Sequence, residues 1–291
     1  MSIIRDYPCS YNNGNLVGAW AETEAGLVFP RAYEQREEMV KLAKCIQQRN
    51  QSCFCMLPFC HTLEAEALGG HIVLGGVQSG PRVRQFAYAS LDELEKKLQF
   101  NWELPRLQET VEACRALQEE GERILFQISG PLTILGSLLP PELLYRAMRK
   151  EPQRVQALFE RIGTILLQLM KQLEVEGISL FSYADPMSAV NLIGPKPVEW
   201  LCKEFTRVFL QQMDLQLQKE TLIFLCPKTA LALIGTDCAH WKEHPLQEPM
   251  LYQKVALALQ GDIRFVGESC INRSNYEIEC IKELCLEVGV C

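Results

Sequence analysis

Cysteine, histidine and carboxylate side chains recur in this sequence directly after short apolar runs. Five segments carry them: Pro58 to Glu66 (PFCHTLEAE), Ser129 to Thr133 (SGPLT), Tyr183 to Met187 (YADPM), Cys226 to Thr229 (CPKT) and Gly267 to Arg273 (GESCINR). A sixth, Gly235 to His240 (GTDCAH), falls between the last two. Thiols and imidazoles bind soft divalent metals or serve as nucleophile and base. Carboxylates orient substrates or hold and release protons.

Asp185 comes straight after Tyr183 at the end of a predicted strand, and Pro186 keeps its backbone extended. Its expected role is to hydrogen-bond or electrostatically orient a substrate; the other reading is a cap on the next turn. Glu64 and Glu66 are two apart and cannot share a helix face, so only one can enter a site. Glu64 stands four residues past Cys60, on the same side if that turn is helical; the competing reading is a solvated helix start. Lys228 and Arg273 are cations able to meet an anionic substrate. Cys226 reads either as a ligand or as a small buried residue, which most of the 13 cysteines must be.

The elements that position these segments alternate. Cys53 to Leu57, Ile124 to Ser129, Ile178 to Tyr183, Thr221 to Cys226 and Ile263 to Gly267 are continuous apolar runs of the kind found in parallel strands buried on both faces. His71 to Leu74 is a shorter candidate. Between them lie helical stripes. One follows Pro152 through Val155, Leu158, Phe159, Ile162, Leu166, Leu169 and Leu173, with Gly177 as its stop. Another follows Pro197 through Val198, Leu201, Cys202, Phe205, Val208 and Phe209. Ser274 and Glu277 read as a capping box for a closing helix with Ile278, Ile281, Leu284 and Val288.

Strand–helix alternation leaves an open doubly wound sheet or a closed barrel. Neither G-x-G-x-x-G nor a Walker loop is present, which favours the barrel. The expectation is one (β/α)8 TIM-type barrel over residues 51–291, with an N-terminal helical extension over 1–50 packing on it, and chemistry at the C-terminal strand ends.

The segments PFCHTLEAEALGG, FQISGPLTIL, SYADPMSAVNLIGPK, LCPKTA and FVGESCINR resemble the uroporphyrinogen decarboxylase superfamily. Within it they are most similar to the methylcorrinoid-dependent methyltransferases, over about Cys53 to Arg273. The resemblance implies a (β/α)8 barrel and a zinc ion held by a His-x-Cys pair and a later cysteine. Cys226 matches the pair's cysteine, Phe224 stands at the histidine position, and Cys270, 44 residues on, matches the later cysteine. Phenylalanine cannot ligate a metal, so the third ligand falls to Cys238, expected on a strand between those bearing Cys226 and Cys270, with His240 next. Cys60 and His61, ending the first strand, which neighbours the last in a closed barrel, are the other candidates.

By that resemblance, Cys226, Cys270 and Cys238 hold Zn2+, Asp185 and Glu64 serve catalysis, and Tyr183 and Lys228 contact the cofactor. The reaction implied is methyl transfer between a corrinoid, free as methylcobalamin or on a corrinoid protein, and a small thiol or related acceptor. Two alternatives stay open. One is an altered barrel that has lost the metal and binds a corrinoid carrier; the other is a uroporphyrinogen-type decarboxylase, for which the first strand end lacks arginine.

Composition narrows the partners. The net charge of −7 gives no basic face for nucleic acid or an anionic membrane. No apolar run reaches the roughly 18 residues a membrane span needs. An odd number of scattered cysteines points to a reducing cytoplasm.

Overall fold

The structure is a computed structural model that describes residues 4–9 and 17–287. The chain gathers into two compact units: Cys9–Ser129 with Ile134–Leu144, and Met1–Pro8 with Gly130–Thr133 and Tyr145–Cys291.

In the first unit, β1 (Cys55–Leu57) pairs in parallel with the later strand Ile124–Ser129, Cys55 opposite Ile124 and Leu57 opposite Phe126. Every residue of both is buried, so the uninterrupted apolar pattern has its expected cause. Two short strands, β2 (His71–Val73) and β3 (Arg82–Gln85), form a separate antiparallel ribbon, and Ile124–Ser129 is thus β4. Helix Arg36–Asn50 buries Met39, Leu42, Ala43 and Ile46, the spacing of one helical face. Helix Pro105–Glu119 opens on a proline whose missing N–H costs nothing in the first turn, and buries Arg106, Leu107, Thr110 and Cys114.

In the second unit, β5 (Leu180–Ala184) and β6 (Leu222–Leu225) pair in parallel, Tyr183 opposite Leu225. The remaining strands are β7 (Ala239–Leu251), β8 (Phe265–Val266) and β9 (Glu277–Leu286). β6 pairs directly with β8, Phe224 opposite Val266, and β9 then runs antiparallel to β8 and along β7. The 24-residue helix Pro152–Val175 buries all seven positions of its expected stripe and ends before Gly177. The stripe after Pro197 differs in one respect. Its helix begins at Pro195 and passes through a π turn at Cys202–Thr206 before continuing as Arg207–Gln216. The extra residue per turn rotates the face, so Val208 is 39% exposed while Phe209 is buried.

The closing helix is a strand. Ser274, expected as its cap, is buried and instead donates to the Ile271 carbonyl at 2.6 Å while accepting from Gln253 Nε2 at 2.6 Å. Ile278, Ile281 and Leu284 fit a three-residue spacing, but Glu277-Ile278-Glu279-Cys280 also alternates, and the long ladder with β7 satisfies that second pattern. Val288 lies outside the described residues. The fold is α/β with parallel strands and many helices, the barrel class that the alternation predicts, and no closed ring of strands is detected among the described residues.

Candidate functional site

In the second unit the C-terminal ends of β6 and β8 carry two half-buried thiols. Cys226 is the residue before helix Pro227–Gly235, and its amide donates to the Tyr183 carbonyl at 2.8 Å. Cys270 ends the loop after β8, its carbonyl accepting from Arg273 N at 2.9 Å. Because β6 and β8 are hydrogen-bonded neighbours, both segments leave the same end of the sheet. The start of that loop lies close to the β6 end and the helix after Cys226: a Cβ on Gly267 would stand 3.0 Å from Leu225 Cβ and 3.1 Å from Ala230 Cβ.

The proposed third ligands are not brought to this end. Cys238 was expected on a strand between those bearing Cys226 and Cys270, yet β6 pairs with β8 and β7 lies beyond β9. Cys238 follows the far end of helix Pro227–Gly235, about 14 Å of helix from Cys226. It is fully buried, directing its S–H at the Thr236 carbonyl at 3.6 Å. His240 is exposed on β7, its Nδ1 2.6 Å from Glu287 Oε1. Phe224 is 2% exposed and meets the Tyr252 ring edge-on at 6.4 Å. Among the described residues no three histidine, cysteine, aspartate or glutamate side chains are arranged to hold a metal ion.

The expected cofactor contacts are otherwise engaged. Tyr183 is 1% exposed with its ring 5.8 Å from Phe209, so alternation along β5 turns it into the helix layer rather than toward a ligand. Lys228 pairs with Asp6 Oδ1 at 2.7 Å and reaches Asn191 Oδ1 at 3.4 Å.

Asp185 is placed as a cap. Its Oδ1 accepts from Thr133 N at 2.7 Å and Thr133 Oγ1 at 2.6 Å, and its Oδ2 accepts from Leu132 N at 3.1 Å. Those are first-turn donors of helix Pro131–Leu138, which otherwise have no intrahelical partner. Gly130 is required here, since a Cβ would overlap Asp185 Cβ and Cγ. Burial pushes the Asp185 carboxyl up to about 6 against the pull of those three bonds.

In the first unit, Glu64 is 1% exposed on the short helix Leu63–Ala67. Its Oε1 accepts from Ser129 N at 2.7 Å and its Oε2 from Ser129 Oγ at 3.0 Å. Ser129 Oγ also lies 3.3 Å from His61 Nδ1. Burial raises the Glu64 carboxyl, opposed by the Ser129 donors and the Arg106 charge, and burial lowers the half-buried His61. Arg106 Nε pairs with Glu66 Oε2 at 2.7 Å and its guanidinium reaches Thr62 Oγ1 at 3.2 Å and Cys60 Sγ at 3.7 Å.

Sequence gives Ser129 and Arg106 no role, and His61 only that of an alternative metal ligand beside Cys60. His61 lies three residues before Glu64 and Ser129 ends an unmistakable strand, so both carried a positional signal. Arg106 arrives from a distant helix and carried none.

The chain is similar to several known proteins. The model of the family described as Uroporphyrinogen decarboxylase (URO-D) matches residues 5–263. The methylcobamide:CoM methyltransferase MtbA of Methanosarcina mazei is 22% identical over 222 residues, 73% of this chain and 63% of the relative. MtaA of Methanosarcina barkeri is 23% identical over 220 residues, 74% and 63%. The chain therefore spans about 63% of the length of these relatives. A solved methyltransferase from Methanosarcina mazei superposes with a TM-score of 0.58 at 19% identity, covering 75% of this chain and 67% of that one.

Proposed function

Because the chain belongs to the uroporphyrinogen decarboxylase family, and its relatives there are methylcobamide:CoM methyltransferases, we propose that it transfers a methyl group between a corrinoid substrate and a thiol or related acceptor. The observation that carries the reading is the pair of thiol-bearing segments, Cys226 and Cys270, leaving the same end of two directly paired parallel strands. Strand ends of this kind are where barrel folds place their chemistry. Corrinoid is the co-substrate, on a carrier protein or free as methylcobalamin. No described helix is long and apolar enough to cross a membrane.

The zinc ion implied by family resemblance does not fit the residues present. A catalytic zinc takes three protein ligands and an open position. Here Phe224 fills the histidine's place within the core, while Cys238 and His240 point to partners of their own. We derive no step through a metal. What the chain supplies is Cys226 at the start of helix Pro227–Gly235, with Lys228 in the first turn behind it. In the transfer, acceptor sulfur bonds to the methyl carbon as the methyl–cobalt bond breaks, its electron pair staying on cobalt. The acceptor's proton goes to a base.

The buried Phe224 also favours the second reading, an altered barrel that binds a corrinoid carrier without turnover. Tag-free protein assayed for metal and for methylcobalamin demethylation against a panel of small thiols separates the two. The expected result is turnover at well below one zinc per chain, falling at least tenfold in Cys226→Ala. One zinc per chain, lost in Cys226→Ala, overturns the metal-free account. Corrinoid binding with no turnover against any thiol leaves the altered barrel. Decarboxylation of a tetrapyrrole would replace both.

A further inference from the structure

We propose that His61, Ser129 and Glu64 form a proton relay whose outlet is His61 Nε2, poised to take a proton from a ligand bearing a weakly acidic S–H or O–H group. The proposal does not rest on methyl transfer.

The geometry defines the proton positions. Ser129 N donates to Glu64 Oε1, which fixes that oxygen as an acceptor and turns Oε2 toward the Ser129 hydroxyl. A hydroxyl has one proton to give. With Glu64 ionised, Ser129 donates to Oε2, and its oxygen must accept from His61 Nδ1–H. Nε2 then carries the lone pair and is the base. With Glu64 protonated, the carboxyl donates to Ser129 Oγ, Ser129 donates to Nδ1, and the imidazole proton sits on Nε2.

These two states differ by a concerted shift. Nε2 accepts a proton from the ligand, Nδ1–H passes to Ser129 Oγ, and the serine's own proton passes to Glu64 Oε2. One proton enters and one carboxylate is neutralised, so the negative charge passes from Glu64 to the ligand and no imidazolium forms. The surroundings favour that exchange: burial disfavours both the imidazolium and the carboxylate. The other ionisable groups nearby are already committed. Arg106 pairs with Glu66 and reaches Cys60, and Tyr33, beside Cys60, is held protonated with its hydroxyl pushed up to about 12. Ser129 is not a nucleophile in this arrangement, because its proton goes to glutamate rather than histidine. His61 alone touches the ligand; Ser129 and Glu64 set its tautomer.

The test reads that tautomer by nitrogen NMR of imidazole-labelled protein. The chain has four histidines, and the spectrum of His61→Gln assigns this one. In the wild type, His61 should hold its proton on Nδ1 at neutral pH and move it to Nε2 as Glu64 titrates. In Glu64→Gln the side-chain NH2 donates to Ser129 Oγ, so the serine must donate to Nδ1, and the neutral imidazole should carry its proton on Nε2. Ser129→Ala should abolish the pH dependence of the tautomer, and carries the same readout if the glutamine variant does not fold. A tautomer independent of pH, or identical in the wild type and both variants, overturns the relay whether or not the protein transfers methyl groups.

Discussion

Asp185 and Glu64 are two buried carboxylates with almost the same inventory of bonds. Each is 5% exposed or less, each accepts a backbone N–H and a hydroxyl, and burial raises both. They differ in what the hydroxyl does next. Thr133 Oγ1 goes on to accept the Met187 amide at 3.2 Å, a donor that cannot give up its proton. Ser129 Oγ goes on to His61 Nδ1, a group that can gain or lose one. The first carboxylate therefore ends in backbone and holds a turn together, while the second ends in an imidazole. A perturbed carboxyl in a cleft is a common sign of function, but here perturbation is shared and the next bond along separates a cap from a relay.

Removing Asp185 should do the most damage. Asp185→Ala leaves Leu132 N, Thr133 N and Thr133 Oγ1 buried without their acceptor, and a lost cap with unsatisfied donors costs about 2–4 kcal/mol. Urea unfolding measures it; a loss below about 1 kcal/mol would show that water or the helix itself replaces the carboxylate, and the cap reading would fall. Gly130→Ala should come next, at about 1–3 kcal/mol, because its Cβ would overlap Asp185 and the turn must shift.

Asp185 also sets a pH dependence. Its folded value of about 6 lies above the ordinary 3.8, so its stabilising contribution is complete below about pH 4 and is lost as pH rises through about 6. Asp185→Asn, which cannot ionise, should flatten that part of the stability profile. His61 works the other way: its lowered value makes it a contribution present above the ordinary 6.5 and lost as pH falls. Unfolding midpoints of the aspartate variant and the wild type, compared across that range, isolate the first effect from the second.

How much of this was legible beforehand depends on the distance over which each feature is set. Helix Pro152–Val175 and strand Ile124–Ser129 follow from local apolar spacing, and the structure has both. Strand Glu277–Leu286 was hidden because its apolar residues satisfy two periods, and the choice belongs to β7, some 30 residues upstream. That error and the misplacement of Cys238 have a single cause: a sheet order in which β8 follows β6 directly is a tertiary fact. At the candidate sites, the positions of Asp185, Glu64 and Cys226 after strands follow from the sequence. Which of the two carboxylates caps a helix does not, because their hydroxyl partners Ser129 and Thr133 precede and follow a single Gly-Pro bend and look equivalent in sequence.

The smallest expected effect is the one that sharpens the contrast most. Glu64→Gln keeps an oxygen for Ser129 N, and its amide can donate to Ser129 Oγ, so both hydrogen bonds of the carboxylate to Ser129 have a neutral replacement. It also removes a carboxyl that burial already disfavours in its charged form, which offsets the lost attraction to Arg106. Stability should change by less than about 1 kcal/mol. Asp185→Asn cannot match this: with its oxygen on the Thr133 donors, the amide nitrogen would face Leu132 N, donor against donor. Equal losses for the two amides at neutral pH, read from paired urea titrations, would mean that both carboxylates serve as simple structural acceptors. A near-silent Glu64→Gln beside a costly Asp185→Asn would instead assign the cost to a fixed backbone donor, and leave Glu64 free to exchange its proton because the group beyond its hydroxyl can accept either direction.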